Sequence, residues 1–184
     1  MEALRKDQRY TYMDYCSWDN DVRYELIDGK PYAMAPPLRR HQSISMDLSR
    51  QIANFLHGKT CEVYSAPFAV RLNANEGDDT VVEPDITVIC DHSKLDDRGC
   101  KGVPDLIIEI LSPSSSRYDK IIKFNKYREA GVREYWIVDP DDKSVQVCVL
   151  KDNEYMIRGY IETDNVAIGV LDGCTINLSD VFSA

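Results

Sequence analysis

Five side chains have the types and spacing to carry chemistry: Glu25, His41, Asp85, Glu109 and Lys123. Glu109 interrupts an otherwise apolar run, Leu106-Ile107-Ile108-Glu109-Ile110-Leu111. Strand alternation puts Ile107, Glu109 and Leu111 on one face and Leu106, Ile108 and Ile110 on the other. An ionised carboxylate buried there costs several kcal/mol unless it is paired, hydrogen-bonded or bound to metal. The plainer alternative is a strand-end acid that reaches solvent or an arginine. Asp85 follows Pro84 where a strand begins, a position that suits Asp without any function. Lys123 falls mid-helix with Asp119 and Tyr127 four residues to either side, which alone describes a solvated lysine with a local ion pair. Glu25 and His41 are each weak candidates alone. Together, two strand acids and a lysine are what divalent-metal phosphodiester hydrolysis requires. Hard oxygens hold Mg²⁺, the metal acidifies bound water, and a lysine orients that water and contacts the phosphate.

The elements that must position these groups are legible along the chain. Tyr24 to Met34 reads as a hairpin about the turn pair Asp28-Gly29. Ile44, Leu48, Ile52, Phe55 and Leu56 recur at helical spacing, so a helix is expected over 41–56, stopped near Gly58. Strands are expected over 61–72 and 81–90, with a polar loop over 91–103. The run 105–111 reads as a central strand covered on both faces. Ser116 and Asp119 match a capping box for a helix over 118–130, closed by Gly131. Strands at 133–139, 144–150 and 154–161 and a short tail segment at 176–182 complete the order. The unit 105–139 is a βαβ, which implies a parallel central pair within a mixed sheet. The fold class is α/β or α+β, and 184 residues fit one domain, 1–184.

Composition narrows the function. Acids outnumber bases, 31 to 22, for a net charge of −9, which opposes broad attraction to nucleic acid. The stretch 117–133 runs the other way, with six bases against two acids. With Arg39 and Arg40 it could form a basic face beside the site, or simply a solvated helix face. No apolar run is long enough to span a membrane, and the N-terminus has no secretory h-region. The six cysteines show no zinc spacing, and Cys90 and Cys148 sit in apolar runs as small hydrophobes. The expectation is a reduced, cytoplasmic protein with no membrane partner.

Several strings make the reading specific: Tyr24-Glu25-Leu26-Ile27-Asp28-Gly29, Pro36 to His41, Glu83-Pro84-Asp85, Pro104 to Ser114, and Tyr127 to Pro140. In these the chain resembles the Uma2 family, formerly a domain of unknown function, within the PD-(D/E)xK, restriction-endonuclease-like superfamily. The resemblance runs from about Tyr24 to Phe182. It implies a restriction-endonuclease-like core, a mixed central sheet flanked by helices, with an extra N-terminal hairpin and C-terminal strands. It also implies a Mg²⁺- or Mn²⁺-dependent endonuclease acting on DNA. On this resemblance Asp85 and Glu109 are metal ligands, 24 residues apart on neighbouring strands. The superfamily's usual lysine falls at position 111, which is Leu111. The Uma2 pattern resembles a version with the lysine moved to the following helix, where Lys123 fits and Lys120 competes. Glu25, by binding metal directly or through water, and His41, by contacting phosphate, complete the implied site.

Two other readings remain open. Leu111 favours a non-catalytic module that keeps the fold to bind nucleic acid or protein; the joint presence of Asp85, Glu109 and Lys123 opposes it. An assembly protein whose exposed strands and aromatic residues pair subunits, with the Tyr-rich N-terminus as one such surface, is the third. A homodimer is compatible with all three, as is an additional protein partner. No helix-turn-helix, zinc-finger or aromatic RNA-binding signature is present.

Overall fold

A computed structural model describes residues 8–18, 22–74, 76–112 and 117–183. The capping box expected at Ser116 and Asp119, and the side chain of Lys120, lie outside the described residues. The chain is mixed α+β. Among the described residues, two six-stranded mixed sheets, a small hairpin and four α-helices are present.

The first helix, α1 (Tyr12–Ser17), is followed by the hairpin β1 (Tyr24–Ile27) and β2 (Lys30–Ala33). Asp28 and Gly29 both take positive φ, 50° and 72°, as the tight two-residue turn demands. Helix α2 (Arg39–Leu56) buries Ile44, Leu48, Ile52 and Leu56, its expected stripe. Next come β3 (Glu62–Ser65), β4 (Ala69–Arg71), β5 (Val81–Val82), β6 (Ile86–Ile89), β7 (Leu95–Asp96), β8 (Gly99–Lys101) and β9 (Leu106–Ile110). Helix α3 (Arg117–Ala130) follows, then β10 (Glu134–Asp139), β11 (Ser144–Lys151), β12 (Glu154–Ile161), β13 (Asn165–Ala167), β14 (Thr175–Asn177) and α4 (Leu178–Val181).

The main sheet runs β12-β11-β10-β9-β6-β3. Only β9 and β10 pair in parallel within it, as the βαβ reading requires. Leu106, Ile108 and Ile110 pack with α2, Trp136 and the C-terminal segment on one face. Ile107 packs with Tyr127, Tyr135, Cys148 and Tyr155 on the face that α3 covers. Gly131 ends α3 at φ 90°, where the N–H groups of Gly131 and Val132 both reach the Tyr127 carbonyl, at 3.1 and 2.9 Å.

Three expectations are corrected. The runs 61–72 and 81–90 are not single strands. The first divides at the cis Ala66-Pro67 bond into β3 and β4, and the second at Glu83-Pro84-Asp85 into β5 and β6. In each case the first and second halves join different sheets. The second sheet runs β2-β1-β5-β4-β8-β7, so the chain crosses between layers at both prolines. The segment 91–103, expected as a loop, supplies β7 and β8. The cysteines are not all reduced: antiparallel β3 and β6 set Glu62 opposite Ile89, which brings Cys61 to Cys90, and the two form a disulfide. Cys100, Cys148 and Cys174 are free and buried. Among the described residues, no helix is long and apolar enough to cross a membrane.

Candidate active site

The five side chains singled out in the sequence line one pocket of about 800 Å³. Each arrives on a different element. Asp85 sits at the crossing between sheets, just before β6. Antiparallel pairing sets Ile86 opposite Ile108, so the next step along the register puts Asp85 beside Glu109. Its Oδ2 accepts from the Ile110 N–H at 2.7 Å and from His41 Nε2 at 3.2 Å. His41 comes from the first turn of α2. Its Nδ1 is buried and has no hydrogen-bond partner. Burial works to lower the His41 pKa, but the Asp85 carboxylate outweighs it and the net direction is upward.

Glu109 lies on the α3 face of β9, as strand alternation requires. Its Oε1 accepts from Lys123 Nζ at 3.0 Å and from the Tyr127 hydroxyl at 2.6 Å. Lys123 and Tyr127 are one helical turn apart on α3, which places both over the same carboxylate. Lys123 Nζ also lies 2.8 Å from Glu25 Oε1. That same Glu25 oxygen accepts the Glu83 N–H at 2.9 Å. Glu25 therefore ties the lysine to the backbone that leads into Pro84-Asp85. Glu83 in turn takes the Tyr15 hydroxyl at 2.7 Å and the Arg23 guanidinium.

The electrostatics follow from this crowding. Burial pushes the Glu109 carboxyl up to about 7; Lys123 opposes that, while Asp85 and Glu25 add to it. Burial works to deprotonate Lys123, but Glu109 and Glu25 prevail and its pKa is raised above the ordinary lysine value. The lysine is thus a fixed cation, suited to holding an anion and not to accepting a proton. Three carboxylates, Glu25, Asp85 and Glu109, share the pocket with Lys123, Lys30, Arg23 and His41. Among the described residues, no group of three or more His, Cys, Asp or Glu is placed to hold a metal ion. The hard donors at the pocket are the Asp85 and Glu109 carboxylates, with Glu25 engaged by Lys123.

Tyr127, Glu83, Tyr15 and Arg23 belong to the site's support and are not evident from the sequence. Only Tyr127 left a signal, its position four residues after Lys123. Among the described residues, four bases of the expected basic face are tied in ion pairs. Lys126 pairs with Asp28 and Glu129, Arg128 with Glu154, Arg133 with Asp105 and Arg40 with Asp141. The two carboxylates and the lysine that the sequence selected are nonetheless brought into one pocket.

Known proteins share this arrangement of elements. A crystal structure from Anabaena variabilis, described as "a putative nuclease belonging to DUF820", superposes with a TM-score of 0.77. It is 19% identical, with 95% of this chain and 98% of that one covered, and so shares the fold. The uncharacterized protein slr1290 of Synechocystis is 28% identical over 159 residues, 84% of this chain and 82% of its own length. A second Synechocystis protein, sll1609, is 28% identical over 118 residues, 62% of this chain and 65% of its own. The Uma2 family, described as "Putative restriction endonuclease", matches residues 10–179, and the chain belongs to it.

Proposed function

We propose that the pocket is the active site of a divalent-metal-dependent endonuclease that hydrolyses DNA phosphodiester bonds. The observation that carries this reading is the convergence of Asp85 and Glu109 at one end of the β6–β9 strand pair, with Lys123 Nζ 3.0 Å from Glu109. The donor set fits Mg²⁺ or Mn²⁺. It is made of hard carboxylate oxygens, with three carboxylates lining one pocket. The contacts to Asp85 fall on Oδ2, and those from Lys123 and Tyr127 on Glu109 Oε1. Asp85 Oδ1 and Glu109 Oε2 receive none of these and are the oxygens suited to hold the cation.

When bound, the cation supplies acidified water and offsets charge developing on the phosphate. The chain's own residues do the rest. Lys123, kept protonated, contacts a phosphate oxygen and steadies the charge that grows on it. Tyr127 and Lys123 fix the rotamer of Glu109. His41 and the Ile110 N–H fix Asp85. Glu25 holds Lys123 in place, and the same oxygen anchors the strand crossing that presents Asp85. DNA as substrate rests on the family's description; the pocket itself selects a phosphodiester beside hard acids.

The test is DNA cleavage with Mg²⁺, Mn²⁺ or EDTA on linear, circular and single-stranded substrates. Wild type is compared with Glu109→Gln and Lys123→Ala, and Mn²⁺ binding is followed calorimetrically. Metal-dependent cleavage lost in both variants supports the reading. Cleavage that survives Glu109→Gln refutes this site. A wild type that neither cleaves nor binds metal points instead to a non-catalytic binding module.

A further inference from the structure

Strand β12 is the last strand of the main sheet, with β11 on one side and no strand on the other among the described residues. It is eight residues long, without proline, and its outer edge bears backbone N–H and C=O groups that β11 does not take, apart from those of Ile161, which meet Asp164. The devices that usually blunt such an edge are few here. The β11–β12 hairpin also exposes Val149, Met156, Ile157 and Ile161, of which Met156 is 62% exposed. Val149 and Met156 are direct cross-strand partners, so their apolar surface is contiguous.

The charges on the strand select one occupant. A second copy pairing antiparallel about a two-fold normal to the sheet keeps each residue on its own face. The residue numbers of paired positions must then sum to an even number. Pairing centred on Met156 sets Met156 against Met156 and Glu154 against Arg158, twice by symmetry. Glu154 is 72% exposed, and although it meets Arg128 at 2.9 Å it has room for a second cation. Arg158 makes no ion pair among the described residues. Centring the pair on Arg158 instead would oppose two like charges. We infer that β12 is a self-complementary docking edge through which two copies of this chain join into a continuous sheet, with Met156 at the two-fold and Glu154 facing Arg158. This surface is separate from the pocket and does not depend on its chemistry.

The test is sedimentation velocity over a concentration series, with far-UV circular dichroism to confirm that each variant is folded. Wild type should dimerise reversibly. Glu154→Lys and Arg158→Glu should each raise the dissociation constant by at least about tenfold, because each places like charges opposite one another at two symmetric positions. The double exchange, Glu154→Lys with Arg158→Glu, should restore dimerisation. Met156→Lys should abolish it. A wild type that stays monomeric at every concentration overturns the inference. So does a dimer indifferent to the single reversals, or one that the double exchange fails to restore.

Discussion

Glu109 and Glu134 occupy neighbouring parallel strands, β9 and β10, and both are acids in apolar surroundings. They point to opposite faces of one sheet. Glu134 is 1% exposed beneath the C-terminal segment. Its Oε1 accepts from Trp136 Nε1 at 2.7 Å and its Oε2 from the Val170 N–H at 2.9 Å. Both oxygens are thus taken by neutral donors of the chain itself, and Gly169 packs so closely that a Cβ there would lie 3.1 Å from Oε2. Burial raises the Glu134 pKa, and the N–H groups hold the rise back. Glu109 instead shares one oxygen between a lysine and a tyrosine hydroxyl and lines an open pocket. A buried acid whose oxygens are both satisfied by fixed N–H donors is mortar. One held by charge, at the wall of a cavity, is available for chemistry.

The contrast breaks if substitution affects both acids alike. The largest expected effect is on catalysis: Glu109→Gln should lower metal-dependent cleavage roughly a thousandfold. It should leave stability almost unchanged, because removing a buried charge offsets a weakened bond to Lys123. Unchanged cleavage together with marked destabilisation would make Glu109 structural like Glu134.

Lys123→Ala should come next, with cleavage lost and about 3 kcal/mol of stability removed, since Glu25 and Glu109 are left buried without their cation. Urea unfolding of metal-free protein measures it. A loss below about 1 kcal/mol would show that water already screens the acids.

Glu134→Gln should cost about 2 kcal/mol. The amide keeps one acceptor, and its NH₂ must face either Trp136 Nε1 or the Val170 N–H. Cleavage per folded molecule should not change, and Trp fluorescence should report the lost indole bond. Reduced cleavage in fully folded protein would mean that the two faces are coupled through the sheet.

Much of this contrast was legible in the sequence, and the missing part has a physical cause. Glu109 stood out because it breaks a hydrophobic run. Glu134 begins its strand after Arg133, where a charge is unremarkable, and its partner Val170 is 36 residues away. The hairpin, α2, β9, α3 and β10–β12 follow from periodicity and turn chemistry, which are local. The crossings at Ala66-Pro67 and Glu83-Pro84-Asp85 do not, because apolar residues continue on both sides and only tertiary pairing assigns them to different sheets. The crossing missed in 81–90 is the one that delivers Asp85 to the pocket. The Cys61–Cys90 bond likewise depends on the register of β3 against β6. Tyr127 is buried core, as its type suggests, yet its hydroxyl serves the site.

The smallest expected effect separates those two roles of Tyr127. Tyr127→Phe keeps the packing and removes the 2.6 Å bond to Glu109. Burial raises the Glu109 carboxyl from its ordinary 4.5 to about 7, so the folded metal-free protein holds a proton there that the unfolded chain has released. Stability from this group is therefore greatest at low pH and falls as pH rises between those values. The hydroxyl donates most strongly to the ionised carboxylate, so it lessens that fall. Tyr127→Phe should thus cost about 1 kcal/mol at pH 8 and less at pH 5, and it should move the Glu109 titration upward. No cost at either pH value would mean that Tyr127 contributes packing alone, and that Lys123 by itself sets the charge of the acid it faces.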